Sequence, residues 1–378
     1  MQGCCRAWSF RNEAKDVGIY EEAESLLPKG SKWWCSAVFE GIALSTVLGQ
    51  REQVVKFSER LISVTPKATD VSHYIGSLAI GAMTVSYLAD RQLVSRLLAR
   101  IEQVGLSETE MEPAARGLVH YAIGRYMNVF EPEPYKTVEC YRNALSAFQE
   151  IGNRRGSVSA AGDLGLALAR LGASQEGEVV LREGIRVGQQ LKEPLTLGWV
   201  QMFLALVLAV RPDESACAEA IAIGESLRSG VGEQTLYGGI VNCALAAAYL
   251  RTNDLAAADR SARSALQALA PLRTSAPLGQ VMLIRVLLAQ GQTTEALRIA
   301  REGGELLQSL NGAGSGEVPL LLAIADAHAA AGELANATAV RSEAQAQIEL
   351  RAARIPDAAV RASYLLHIAP AQGPPPMI

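Results

Sequence analysis

The sequence has 378 residues, 35 of them Lys or Arg and 39 Asp or Glu, for a formal charge of −4. Such weak acidity argues against a nucleic-acid partner, whose phosphates need clustered cations. Hydrophobic residues make up 49% and aromatics only 5%, so the chain is not disordered as a whole and its core must rest on Ala, Leu, Val and Ile.

In chain order, the stretch from Met1 to Lys15 has no apolar run and is not a secretory signal. The Cys4–Cys5 pair reads as part of a frayed N-terminus; an exposed redox or acylation site is the alternative. Residues 1–30 form a partial N-terminal helical or capping segment, or the remnant of a preceding domain's last helix pair. From about residue 31 to 354 the chain alternates a small, apolar helix with a more charged one. Turn residues recur at Gly49, Asp90, Phe130–Glu131, Gly172, Arg211–Pro212, Asn253–Asp254, Gly291 and Gly332. Their spacing of about 40 residues is that of one helix–turn–helix unit, and eight such pairs fit. Two apolar runs, Leu195–Val210 and Thr235–Leu250, fall one repeat apart and are shorter than the roughly 20 residues a membrane span needs. They read as core helices, so no membrane is expected and the chain is placed in the cytoplasm. Val54–Val55 and Val179–Val180 keep helical periodicity, so no strand is expected. Asn311–Gly316 reads as a flexible loop, 355–370 as a C-terminal capping helix and 371–378 as a disordered tail.

One unit shows the pattern best. Leu164-Gly165 and Leu168 precede the turn at Gly172, and Gly177, Leu181 and Gly184 follow it. The order returns as Leu245-Ala246, Tyr249, Asn253, Ala258, Ala262 and Ala265. It returns again as Leu283, Leu287, Gly291, Ala296, Ala300 and Gly303, and as Ile324-Ala325, His328, Gly332, Ala337 and Ala344. Small residues let the paired helices approach, larger ones fill the space between pairs, and Gly or Asn takes the left-handed backbone that ends the first helix. The pattern resembles the tetratricopeptide repeat, with units lengthened to about 41 residues, as in bacterial signal-transduction and transcription regulators. HEAT and armadillo units are the alternatives. The resemblance implies an all-α, right-handed superhelical solenoid of about eight antiparallel helix pairs.

The resemblance also implies a concave groove lined by set positions of each first helix. Those positions are Ser159, Gly162, Leu166, Ala169 and Arg170, then Gly198, Gln201, Ala205 and Leu208, then Ile240, Cys243, Ala247, Leu250 and Arg251. Leu278, Val281, Arg285 and Leu288 follow, then Leu322, Asp326 and Ala329. Arg170, Gln201, Cys243, Leu250, Arg251 and Arg285 are the candidate partner-binding residues. An apolar lining with isolated arginines suits a hydrophobic peptide or amphipathic helix. The competing reading is that these residues pack on one another.

Enzymatic motifs are missing. None of the seven lysines follows a glycine, so there is no phosphate loop, and no HRD, DFG or GxSxG sequence occurs. The nearest two of the four histidines, His328 and His367, are 39 positions apart, which excludes HExxH zinc spacing. His328 reads as a core residue, and Cys35, Cys140, Cys217 and Cys243 as buried thiols. The charged second helices, such as those with Arg182-Glu183 and Arg301-Glu302, read as solvated faces. No cofactor, metal or catalytic residue is expected.

Finally, the segments Tyr20–Trp34 and Ile355–Pro370 resemble the two ends of the C-terminal repeat region of large bacterial serine/threonine kinase–AAA ATPase signalling proteins. That implies a non-catalytic interaction scaffold holding a protein or peptide. The alternatives are a small-ligand sensor like the repeats of maltose-type transcription regulators, or a severed fragment of a kinase polypeptide.

Overall fold

The computed structural model describes residues 17–211, 213–230, 235–310 and 314–368; Cys4–Cys5 and the tail 371–378 lie outside them. Eighteen α-helices and three short 3-10 turns make up the described residues, with no strand among them. Helix α1 (Gly18–Leu26) comes first. The pairs follow as α2 (Lys32–Val47) with α3 (Arg51–Ser63), α4 (Val71–Val85) with α5 (Arg91–Val104), α6 (Pro113–Phe130) with α7 (Pro134–Glu150), and α8 (Arg154–Arg170) with α9 (Ser174–Gln189). Next come α10 (Pro194–Ala209) with α11 (Glu214–Gly230), α12 (Leu236–Arg251) with α13 (Leu255–Leu269), α14 (Ala276–Ala289) with α15 (Thr293–Leu310), and α16 (Glu317–Ala330) with α17 (Leu334–Ala353). Helix α18 (Ala358–Ile368) closes the series. The expected all-α, tetratricopeptide-like array of helix pairs is what the chain forms.

The turn residues work through one backbone device. Gly49, Gly172, Asn253, Gly291 and Gly332 all have positive φ, at 68°, 88°, 61°, 71° and 79°. Directly after each, an N–H reaches back five residues: Gln50 to the Ser45 carbonyl, Ala173 to Leu168, Asp254 to Tyr249, Gln292 to Leu287 and Glu333 to His328, at 2.8–2.9 Å. This is the Schellman closure, which satisfies carbonyls that the end of a helix leaves open. Side chains then start the next helices: Asp90 accepts from the Leu93 N–H and Asp254 from the Ala257 N–H, both at 3.0 Å.

First and second helices bury different amounts. Helices α10 and α12, the two apolar runs, are enclosed almost all round, from Met202 to Ala209 and from Leu236 to Ala248. No described helix is long and apolar enough to cross a membrane. Second helices bury one stripe, as α13 does through Ala258, Ala262, Ala265 and Leu269. The small positions set the helix approach. A Cβ on Gly177 of α9 would lie 2.5 Å from the Gly165 carbonyl of α8, so the two backbones touch there.

The chain divides into two compact units. Unit 1 takes the residues up to Tyr126 with Glu139–Ser157, and unit 2 takes Met127–Val138 with all residues from Val158. In unit 1, Trp34, Ile42, Phe57, Leu61, Ile75, Leu78 and Leu97 are fully buried. Phe148 of α7 packs on Gly117 of α6, where a Cβ would sit 2.7 Å from the ring.

In unit 2 the end of the chain returns to much earlier residues. Ser363 Oγ of α18 donates to the Gly172 carbonyl at 2.9 Å, a separation of 191 positions. Arg354 Nη1 lies 3.5 Å from Glu133 Oε1, a separation of 221. Residues 311–313 of the expected flexible loop lie outside the described residues, but Gly314–Gly316 form a 3-10 turn in which Gly314 is buried. A Cβ on Gly314 would sit 2.3 Å from the Val129 carbonyl, so this stretch is packed and needs its glycine.

The second helices are more than solvated faces. In unit 2, Arg182 forks onto Glu219 of the next second helix at 2.9 and 2.7 Å, Arg263 onto Glu295 at 2.9 and 3.1 Å, and Arg301 reaches Glu333 at 3.0 Å. In unit 1, Arg96 pairs with Glu59 and Lys56 with Glu21. The repeat period sets acid and base one unit apart, so ion pairs stitch successive units.

Candidate functional site

The return of α18 encloses a cavity within unit 2. Its walls come from Asn128 at the end of α6, the Pro132–Pro134 turn, Thr137 of α7, and Ala167 and Arg170 of α8. Ser315, then Val318, Pro319 and Leu322 of α16, Arg351 of α17, and Tyr364 and Ile368 of α18 complete it. It holds about 50 Å³ of water-accessible volume, and about 590 Å³ of empty space once the open mouth is counted.

Prolines explain the turn side: a ring at Pro134 fixes φ at the start of α7 and removes an N–H that the helix would leave open. The opposite wall is held by charge. Arg351 is 4% exposed and donates from Nη2 to Glu317 Oε2 at 2.5 Å. Tyr364, 1% exposed, lines the same wall. Burial holds the Arg351 guanidinium below its ordinary value and pushes the Glu317 carboxyl up, although each ion favours the other's charged form. Arg351 Nε has no hydrogen-bond partner. A buried donor left open costs roughly 1–3 kcal/mol. Arg170 donates from Nη1 to Asn128 Oδ1 at 3.0 Å. Glu133 is engaged by Lys136 at 3.1 Å and by Arg354.

The candidate residues from the sequence are distributed unevenly. Arg170 lines the cavity. Arg285 is 7% exposed in α14, and burial lowers its pKa to about 10 against the pull of Asp326. Cys243 is fully buried in α12, and burial raises its thiol pKa. Gln201 and Leu250 are half-buried, and Arg251 is exposed at the end of α12. Of the other groove positions, Leu166, Ala169, Ala205, Leu208, Ala247 and Val281 are buried. The structure therefore brings Arg170 together with Arg351, Tyr364 and Asn128, and brings Arg285 near Asp326, but does not bring Gln201, Cys243, Leu250 or Arg251 to the cavity.

The sequence reading passed over Arg351, Glu317 and Asn128. The available signal was an arginine in the apolar register of α17, three residues beyond the buried Ile348, where a surface cation is out of place.

Other chemistry-bearing groups have structural roles. His328 is 12% exposed and its Nδ1 lies 2.7 Å from Glu333 Oε2, beside the Schellman turn. Cys35 and Cys217 are buried and Cys140 half-buried, and burial pushes the Cys35 thiol to about 12. In unit 1, Ser36 Oγ lies 2.9 Å from His73 Nε2. Ser36 sits inside α2, whose N–H groups there are spent on the helix and cannot form an oxyanion pocket. No cluster of three His, Cys, Asp or Glu side chains suited to a metal occurs among the described residues.

No protein-family profile matches the chain, and no curated protein matches it in sequence. Solved structures do match in fold. A Rap protein complexed with competence and sporulation factor aligns over 88% of this chain and 95% of its own, at 10% identity and a TM-score of 0.60. NprR in complex with its cognate peptide NprX aligns over 93% of this chain and 96% of its own, at 11% identity and a TM-score of 0.54. At these identities the likeness is one of fold: the chain has the tetratricopeptide-like architecture of these proteins.

Proposed function

We propose that this chain is a non-catalytic helical-repeat scaffold that binds a peptide or a short protein segment and acts as a regulator. The observation that carries this reading is the fold. Two proteins of the same architecture, matched over about nine tenths of the chain, were solved with competence and sporulation factor and with the peptide NprX. Stacked helix pairs present the small and apolar side chains that peptide recognition uses. Gln201, Leu250 and Arg251 are the candidate groove residues that keep exposed surface. The end segments Tyr20–Trp34 and Ile355–Pro370 point to a kinase- or ATPase-linked signalling system in the cytoplasm as the setting.

The test is selection of a displayed random heptapeptide library on the intact chain, then titration calorimetry with the enriched peptide. We expect enrichment over a scrambled control, and at least tenfold weaker binding to the Leu250→Ala/Arg251→Ala variant, about 1.4 kcal/mol. Selection that enriches nothing overturns the peptide reading. The unit 2 cavity favours a second reading, a sensor of a small ligand; it predicts a ligand-dependent rise in Tm with no peptide present.

A further inference from the structure

The unit 2 cavity differs from an ordinary packing gap in three respects. It opens to solvent, it has an apolar side, and a buried cation faces it. About 50 Å³ of water-accessible volume is room for roughly three to five waters, at about 10–15 Å³ each. That is the size of a branched group of four or five carbons, not of a whole peptide. Val318, Leu322 and Ile368 supply apolar contact. Two guanidinium groups, Arg170 and Arg351, line the cavity against one carboxylate, Glu133, which Lys136 and Arg354 already engage. Arg351 lines the cavity at 4% exposure, with its Nη2 committed to Glu317. A guanidinium group pairs most strongly with an anionic oxygen.

We propose that this cavity is an anchor pocket for a compact aliphatic carboxylate, with the guanidinium groups of Arg351 and Arg170 on the carboxylate side and Leu322, Val318 and Ile368 enclosing the hydrocarbon. Two sources share this chemistry: the terminal residue of a peptide and a free branched-chain acid. The first source rests on the peptide reading above; the second does not. The site also depends on α18, because Tyr364 and Ile368 form part of its wall.

The test uses the intact chain and four probes in titration calorimetry: 3-methylbutanoate, 3-methylbutanamide, N-acetyl-alanyl-valine and its C-terminal amide. Each acid is expected to bind at least tenfold more tightly than its amide. Leu322→Trp fills the cavity and should abolish acid binding. Arg351→Gln combined with Glu317→Gln replaces the ion pair by a neutral one, and should abolish the preference for acid over amide while the helical circular dichroism is kept. Acid and amide binding equally, or Leu322→Trp binding as the unaltered chain does, overturns the pocket. If the free acid binds and neither the capped dipeptide nor any selected heptapeptide does, the pocket stands and the peptide reading falls. If a selected heptapeptide binds as tightly when amidated, and 3-methylbutanoate does not bind, the peptide reading stands and the pocket falls.

Discussion

Gly172 and Gly291 hold the same place in two repeats, yet Gly172→Ala and Gly291→Ala should differ by several kcal/mol. Both residues end a first helix at positive φ, 88° and 71°. An L side chain there costs about 1–2 kcal/mol, and an alanine recovers some of that through the unfolded chain, leaving about 1 kcal/mol for each. The difference lies in what sits above them. A Cβ on Gly291 meets nothing within 4 Å. A Cβ on Gly172 would lie 2.6 Å from the Ser363 carbonyl oxygen and 2.9 Å from its hydroxyl. The obstacle is backbone of α18, so relief requires the helix to lift. Lifting breaks the Ser363–Gly172 hydrogen bond, about 1 kcal/mol, and exposes Tyr364, about 2 kcal/mol of burial. Gly172→Ala should therefore cost about 4 kcal/mol locally, against about 1 kcal/mol for Gly291→Ala. Amide hydrogen exchange reads this directly, because local opening exposes the α18 amides. Exchange across Ala358–Ile368 should accelerate at least a hundredfold in Gly172→Ala and stay unchanged in Gly291→Ala. Equal exchange in the two variants would refute the docking of α18 on the turn between α8 and α9.

The ion pairs between second helices should prove weak one at a time. Arg182→Ala and Arg263→Ala are each expected to cost no more than about 1 kcal/mol in urea denaturation, and less in 1 M NaCl, because these side chains are 45% and 44% exposed. Acid should destabilise the fold early. Burial holds the His73, His120 and His367 pKa values below the ordinary 6.5, so their contribution is present above that value and is lost as pH falls through the depressed values. Tm should fall between pH 7.5 and 5.5, and His367→Phe should flatten the fall; an equal slope in the variant would count against it. Among the four described cysteines, Ellman's reagent should modify half-buried Cys140 first and leave the buried Cys35, Cys217 and Cys243 unreacted until unfolding, because the reagent cannot reach them.

What could be read from the sequence was local and periodic. Gly49, Gly172, Asn253, Gly291 and Gly332 declared the repeat because a left-handed residue is needed wherever a first helix stops, and few residue types accept it. Gly165 and Gly177 declared a close helix approach for a similar reason: only a missing side chain permits it. The inter-unit ion pairs were less legible, since Arg182 beside Glu183 looks like any solvated helix face until the 37-position partner Glu219 is placed opposite. Arg285 shows the limit of carrying positions from one repeat to another. The numbering puts it on the groove, yet it is almost wholly buried, as is Ala247 at the same position of the preceding unit; Arg251, four positions further along, is exposed. The cavity was not legible at all. Asn128, Arg351 and Tyr364 share no period, and only the return of the chain end across 191 positions brings them together.

That return changes how binding would act on the protein. In a simple repeat array each unit contacts its neighbours, and stability is close to a sum of nearest-neighbour terms. Unit 2 departs from this through Ser363 on Gly172, Arg354 near Glu133 and Gly314 on the Val129 carbonyl. A group seated in the cavity touches α8, α16, α17 and α18 together with the Pro132–Pro134 turn, so it binds only when these are assembled. Its binding free energy then adds to the closure itself: at a hundred times Kd, about 2.7 kcal/mol. This is comparable to the roughly 3 kcal/mol at stake in docking α18, so occupancy would shift the closed and lifted populations about a hundredfold. Hence the position of α18, reported by exchange at Ala358–Ile368, is the readout through which the protein would signal that the proposed pocket is filled.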